Sequence, residues 1–180
     1  MPLLEERLYQ QPGSRVLDLG PPTERKFRFF SRLRTRLYYN NFSDSLCEQL
    51  LGPKPQVNLS ASDFQRMLPD SHVEYDLILA WDYLDYLNPE NLRVVTDQLT
   101  KCSRPGTWIY FLMAQHSKIP DRPATIDLLS GEYIRYACGP ATREGARYPP
   151  KVLEGLLKGF QINKLVLLKN GIQEHLFAYG

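Results

Sequence analysis

The chain has 180 residues, of which 43% are hydrophobic and 23% are charged, and its formal net charge is +2. This length and composition are typical of one globular domain with a full core, and the small net charge gives no argument for a nucleic-acid or acidic-membrane partner. The three cysteines form no CxxC or Cys/His cluster, so we expect neither a metal site nor a disulfide framework. No signal-peptide pattern opens the chain, and no apolar run reaches the ~20 residues of a membrane span. We therefore expect a cytoplasmic protein.

Helices and strands alternate in the first part of the chain. Residues 3–10 predict a short leading helix, and residues 15–20 form a brief apolar run that ends in glycine, as is typical of a strand buried on both faces. Thr23 is a suitable N-cap for a helix over residues 24–34. The β-branched and aromatic residues within 35–42 predict the second strand.

The alternation continues through the middle of the chain. Ser43 predicts the cap of a helix over residues 44–51, and residues 56–59 predict the third strand. A short helical turn is expected over residues 62–68. Residues 75–80, with the sequence YDLILA, are the clearest central strand because the run is almost continuously apolar.

The next strand is followed by a long segment of different composition. A helix over residues 89–102 begins at a proline and leads to a second continuous apolar strand, residues 107–114. Residues 115–150 are rich in proline, glycine and charge, and we expect one helix there, around residues 126–136. Segments of this length are commonly functional lids, and we interpret residues 115–150 as a substrate lid.

The chain closes with a helix and a hairpin. A helix over residues 151–158 precedes two apolar runs, residues 160–168 and 172–179. Asn170 and Gly171 between these runs are a strong hairpin signal. Five strand–helix alternations followed by a hairpin predict an α/β fold with right-handed crossovers and a mostly parallel sheet, to which the hairpin adds an antiparallel strand.

Ligands of such open sheets bind outside the carboxyl ends of the strands, at the point where the strand order reverses. Five segments follow the predicted strands and would meet at this edge. They are residues 18–23, 40–42, 61–63, 80–82 and 115–117.

Four segments, in this order along the chain, carry a family resemblance. Residues 16–20 (VLDLG) look like the first half of a V-L-D-x-G-x-G-x-G loop, and residues 75–82 (YDLILAWD) look like a fourth-strand motif. Residues 104–107 (RPGT) resemble a helix-to-strand turn, and residues 156–160 (LLKGF) precede a closing hairpin. On these segments the chain resembles the class I S-adenosylmethionine-dependent methyltransferases. The resemblance implies a three-layer, Rossmann-like sheet that spans residues 1–180 as a single domain.

The resemblance also implies S-adenosylmethionine as the cofactor. Gly20 would let the cofactor lie against the main chain, but two prolines follow it and remove N–H donors, and Glu24 stands at the family's third glycine. Asn41 lies where the family carries an acid for the ribose hydroxyls. The cofactor contacts implied in this chain are Asp18, Gly20, Pro21, Asn41, Asp63 and Trp81.

Some of these residues also have a simpler explanation. For Asp18 the alternative to a loop-organising or cofactor role is a simple surface turn, although a buried carboxylate needs partners. Asp63 also fits ordinary helix capping, because Ser-Asp often precedes a short helix. Asp82 and Trp81 would shape the methyl-transfer site. His116 follows the fifth strand and is a candidate general base, although a lone loop histidine is usually just solvated.

Three functions follow from the sequence. The first is methylation of an unidentified, small-molecule acceptor with S-adenosylmethionine. The second is a catalytically inactive, methyltransferase-like binding or assembly module, which the altered glycine loop favours. The third is a nucleic-acid-binding factor, because residues 25–36 form a basic run interleaved with phenylalanines. A solvated helix face is the simpler explanation of that run.

Overall fold

The computed structural model describes most of the chain. The described residues are 11–40, 42–56, 58–68, 72–129, 133–168 and 170–180. The predicted leading helix over residues 3–10 lies outside these ranges. No helix in the described ranges is long and apolar enough to span a membrane.

Ten strands are described, and six of them form the main sheet. In chain order the strands are β1 (Arg15–Asp18), β2 (Arg36–Tyr39), β3 (Tyr75–Trp81), β4 (Ser103–Ala114), β5 (Lys118–Pro120), β6 (Thr125–Leu128), β7 (Ile134–Ala137), β8 (Thr142–Glu144), β9 (Phe160–Leu167) and β10 (Ile172–Tyr179). The order in the main sheet is β2-β1-β3-β4-β10-β9. The first four of these strands are parallel, and β10 is antiparallel to both β4 and β9. This topology confirms the predicted α/β fold with a mostly parallel sheet and a closing antiparallel hairpin.

Within the described ranges, five helices connect or flank these strands. They are α1 (Glu24–Arg32), α2 (Phe42–Leu51), α3 (Ala61–Met67), α4 (Pro89–Thr100) and α5 (Pro150–Leu156), with a 3₁₀ turn over Tyr83–Tyr86. Thr23 caps α1 as predicted, because its hydroxyl accepts a hydrogen bond from the Lys26 amide at 3.2 Å. The predicted cap at Ser43 is wrong, because α2 already begins at Phe42 and the Ser43 hydroxyl hydrogen-bonds that of Tyr83.

The core lies on both faces of the parallel strands. Val16 and Leu17 are adjacent in β1 and both are fully buried, as are Ile78 and Leu79 in β3. Since adjacent strand residues point to opposite faces, the sheet is covered on both sides, in agreement with the predicted three layers.

Two predicted elements are absent from the described residues. Residues 56, 58 and 59 are not in a strand; the Leu59 amide instead donates to the Asn91 side chain at 2.9 Å, so this backbone bonds to α4 rather than to the edge of the sheet. The predicted helix around residues 126–136 is also wrong, because β6 and β7 pair there as antiparallel strands. The apolar and polar residues of this segment alternate, and this period of two is typical of a strand with one face buried.

Candidate functional site

One buried carboxylate organises the carboxyl end of β1. Asp18 is fully buried, and its Oδ1 accepts hydrogen bonds from the Gly20 amide at 2.8 Å and from the Trp81 indole N–H at 2.5 Å. The Lys26 ammonium lies 3.0 Å from the other oxygen, Oδ2, and both side chains of this ion pair are 0% exposed. We refer to Asp18, Gly20, Lys26 and Trp81 as the Asp18 cluster.

Lys26 enters this cluster from the first turn of α1. Its ammonium donates to the Pro21 carbonyl at 3.1 Å and lies 4.8 Å from the centre of the Trp81 ring. Lysine is rarely buried completely unless it is paired. Burial raises the pKa of Asp18 and lowers the pKa of Lys26, and the charge of each partner opposes the shift of the other. The three donors around Asp18 favour the ionised pair.

Trp81 has an unusual backbone conformation at the end of β3. Its φ is 45°, in the left-handed region that bulky residues seldom adopt, and the register between β3 and β4 shifts between Leu79 and Trp81. This conformation accompanies the indole contact with Asp18, on the neighbouring strand. Strain of this kind costs about 1–3 kcal/mol and tends to occur at functional sites.

Two further buried acids tie residues 115–150 to the end of β3. Asp82 Oδ2 accepts from the Ala124 amide and from the Tyr136 hydroxyl, both at 2.9 Å, and burial raises the pKa of Asp82 to about 6. Asp85 accepts from the Ala114 amide at 2.9 Å, and burial raises its pKa to about 8. Its carbonyl also accepts from the amide of residue 146. The Asp82 carboxylate thus holds the β6–β7 pair at the end of β3, and the Asp85 carbonyl holds residue 146 after β8.

No family model and no curated protein sequence match the chain, but solved structures do. A methyltransferase from Clostridium acetobutylicum superposes with a TM-score of 0.57 at 13% identity, covering 99% of this chain and 89% of that one. A glycopeptide N-methyltransferase in complex with S-adenosyl-L-homocysteine gives 0.55 at 13%, with 99% and 87% covered. A 1,6-didemethyltoxoflavin-N1-methyltransferase from Burkholderia thailandensis gives 0.52 at 12%, with 97% and 76% covered.

The chain has the fold of the S-adenosylmethionine-dependent methyltransferases. Identities this low show the fold alone, so the site must be judged on its own residues.

The resemblance implies that the cofactor would lie against Gly20, so the space beside this glycine decides whether a cofactor fits. A Cβ atom added at Gly20 would lie 2.8 Å from the Lys26 ammonium and 2.9 Å from Cδ1 of Trp81. The glycine therefore makes room for two side chains of the same chain. In this arrangement the residues do not fit S-adenosylmethionine at this position, because Lys26 and Trp81 already fill the space and satisfy Asp18.

The other predicted site residues lie in different surroundings. Asp63 accepts from the amide and the hydroxyl of Ser60, at 2.8 and 2.6 Å, and forms the capping box of α3. These hydrogen bonds lower the pKa of Asp63. His116 is exposed and packs over Gly171 in the turn between β9 and β10. Asn41 lies outside the described residues. The structure thus brings Asp18, Gly20, Pro21 and Trp81 together, with Asp82 adjacent in sequence.

Sequence reasoning missed Lys26 as a site residue. Lys26 was assigned to the basic run of residues 25–36, although its distance along the sequence from the apolar residues of α1 indicates a buried position. Lys26 and the buried Phe30 are four residues apart and therefore share a face of α1. A lysine at that position on the apolar face needs a buried partner, and Asp18 is the acid at the end of the neighbouring strand.

Three arginines of the same run lie on the other side of α1. Arg25, Arg28 and Arg32 line a groove of about 290 Å³ between α1 and β6, which Leu128 and Leu129 complete. All three arginines are exposed, and Arg28 pairs with Glu24, which is also exposed.

Proposed function

We propose that this protein acts by binding a partner and does not transfer methyl groups, although it has the methyltransferase fold. One observation carries the proposal: the Lys26 ammonium and the Trp81 indole occupy the space beside Gly20 and satisfy the Asp18 carboxylate. A binding or assembly module keeps the scaffold and its exposed loops but has no need of an open cofactor cradle.

The energetic argument rests on the buried ion pair. Binding a cofactor beside Gly20 would require Lys26 to leave Asp18 or the cofactor to take its place. Breaking a buried pair costs about 3–5 kcal/mol. At about 1.4 kcal/mol for each tenfold change in Kd, this cost would weaken cofactor binding roughly a hundredfold to several thousandfold.

A second candidate is methylation of a small-molecule acceptor with S-adenosylmethionine. It is favoured by the two strand pairs of residues 115–150, which lie at the carboxyl edge where a substrate lid would lie. The Asp82 carboxylate accepts from Ala124 and Tyr136 in this segment, and the main-chain carbonyl of Asp85 accepts from the amide of residue 146. Among the solved structures of the same fold, one methyltransferase acts on a glycopeptide and another binds 1,6-didemethyltoxoflavin. This candidate requires Lys26 to move out of the Asp18 cluster.

Calorimetry distinguishes the two candidates. The purified protein is titrated with S-adenosylmethionine and with S-adenosylhomocysteine up to about 1 mM, and its melting temperature is measured with each ligand. We expect neither heat nor thermal stabilisation. Micromolar binding of either ligand would overturn the proposal and favour the methyltransferase candidate, after which acceptors would be tested with the small-molecule classes first.

A further inference from the structure

We propose that the Asp18 cluster is an ammonium-recognition site that the Lys26 side chain occupies in this protein, and that a small organic ammonium ion can replace Lys26 when its side chain is removed. This inference rests on the proposed function, because a site occupied by a side chain of its own chain is closed to external ligands. According to this inference, the loop that contains Gly20 and Pro21 helps to recognise an ammonium group.

The groups around the Lys26 ammonium are those that recognise organic cations. A fully buried carboxylate supplies a negative charge at 3.0 Å, and the Pro21 carbonyl accepts a hydrogen bond at 3.1 Å. The face of the Trp81 indole lies at 4.8 Å, within the ~6 Å over which a ring attracts a cation. Carboxylate, carbonyl and indole surround one ammonium from three sides.

The two oxygens of Asp18 have separate roles in this site. Gly20 and Trp81 both donate to Oδ1 and fix the orientation of the carboxylate. Oδ2 is buried and has no directed hydrogen bond in the described residues, so the Lys26 ammonium is the cation that neutralises it. Removing that ammonium would leave an oriented, buried anion without a counter-charge, in a space that has the shape of the lysine side chain.

The test is chemical rescue of Lys26→Ala. This substitution removes three methylene groups and the ammonium, which are the atoms of n-propylammonium. We expect n-propylammonium to raise the melting temperature of Lys26→Ala by about 4 °C when it is present at ten times its Kd. The wild-type protein should not respond, because its own lysine fills the site. The neutral isostere 1-propanol, measured under the same conditions, should give no comparable rise in either protein.

Two control variants separate the charge of the site from its volume. Lys26→Met refills the space without a charge, and the double variant Lys26→Ala with Asp18→Asn keeps the space but removes the anion. Neither should respond to n-propylammonium. Equal responses of Lys26→Ala and the double variant would overturn the proposal, since the anion would then play no part.

Folding failure is also informative. If Lys26→Ala is unfolded alone and folds with n-propylammonium, the proposal is supported. If it remains unfolded with the amine while the double variant folds, external cations do not enter and the proposal is overturned. Failure of this rescue is distinct from failure of the proposed function, which is tested on the wild-type protein with S-adenosylmethionine.

Discussion

The two sides of α1 use the same kind of residue in opposite ways. On the inner side, Lys26 is fully buried and its charge is neutralised by Asp18. On the outer side, Arg25, Arg28 and Arg32 are exposed along one groove. A run of basic residues in a sequence is therefore not one feature. The fold assigns one cation to the interior and leaves the others at the surface, and the energetic consequences of changing them should differ by several kcal/mol.

The largest expected difference compares Lys26→Met with Arg28→Met. Lys26→Met leaves Asp18 as an unpaired buried charge and should lower the free energy of unfolding by about 3–5 kcal/mol. Arg28→Met removes an ion pair whose side chains are both mostly exposed and should change that free energy by less than about 0.5 kcal/mol. Urea unfolding measures both values. Similar losses in the two variants would abolish the distinction between the two sides of α1.

The second expected effect concerns the indole N–H of Trp81, which is a neutral donor in the same cluster. Trp81→Phe keeps a ring at this position but removes the N–H that donates to Asp18, and hydrogen bonds to charged groups contribute about 1.5–3 kcal/mol. We expect a loss in this range by urea unfolding. Trp108→Phe is the matched control, since Trp108 is only partly buried in β4 and lies outside the Asp18 cluster. A smaller loss for Trp81→Phe than for this control would argue against a structural role for the indole N–H.

A third effect uses pH to compare buried and exposed charge. Because the pKa of Asp85 is raised to about 8, the folded state binds its proton more tightly than the unfolded state, in which the pKa is near 4. Asp85 therefore stabilises the fold at low pH, and this contribution is lost as pH rises toward 8. Between pH 6.5 and 8.5 the free energy of unfolding should fall by about 1–2 kcal/mol.

Asp85→Asn should flatten this dependence, because an amide does not titrate and its oxygen can still accept from the Ala114 amide. The matched control is Asp97→Asn, on the exposed side of α4, which should keep the wild-type slope. An unchanged slope in Asp85→Asn would show that Asp85 does not titrate in this range.

The smallest expected effect on stability is that of the outer arginines. Arg25→Gln, Arg28→Gln and Arg32→Gln together should shift the free energy of unfolding by no more than about 0.5 kcal/mol for each substitution. The same triple variant tests the nucleic-acid alternative by fluorescence anisotropy with a labelled oligo-U. Salt-dependent binding that this variant loses, and that a Lys151, Lys158 and Lys164 to Gln control retains, would make the groove a phosphate-binding face.

The elements that sequence predicted best are those whose signals are local. The capping hydroxyl of Thr23, the apolar run of β3 and the Asn170-Gly171 turn each depend on residues close in the chain. The β6–β7 pair was missed although its apolar and polar residues alternate, because each strand has only four residues and is stabilised by cross-strand contacts. The Asp18 cluster was predicted in part: Asp18, Gly20 and Trp81 were identified, but as contacts of a cofactor.

What the sequence lacked was the partner of Asp18. An acid at the end of a buried strand needs a cation or several donors, but its motif is the same whether that cation belongs to a ligand or to the chain. Only the direction in which Lys26 projects from α1 decides this, and that direction follows from the packing of Phe30 and Leu33 against the sheet.

Gly20 shows that a residue of a family motif can be required by packing within the chain itself. Any side chain there would collide with Lys26 and Trp81, so the packing of these two side chains alone requires a glycine at this position. The glycine of the VLDLG sequence therefore does not by itself indicate cofactor binding in this chain, because Lys26 and Trp81 need the same space.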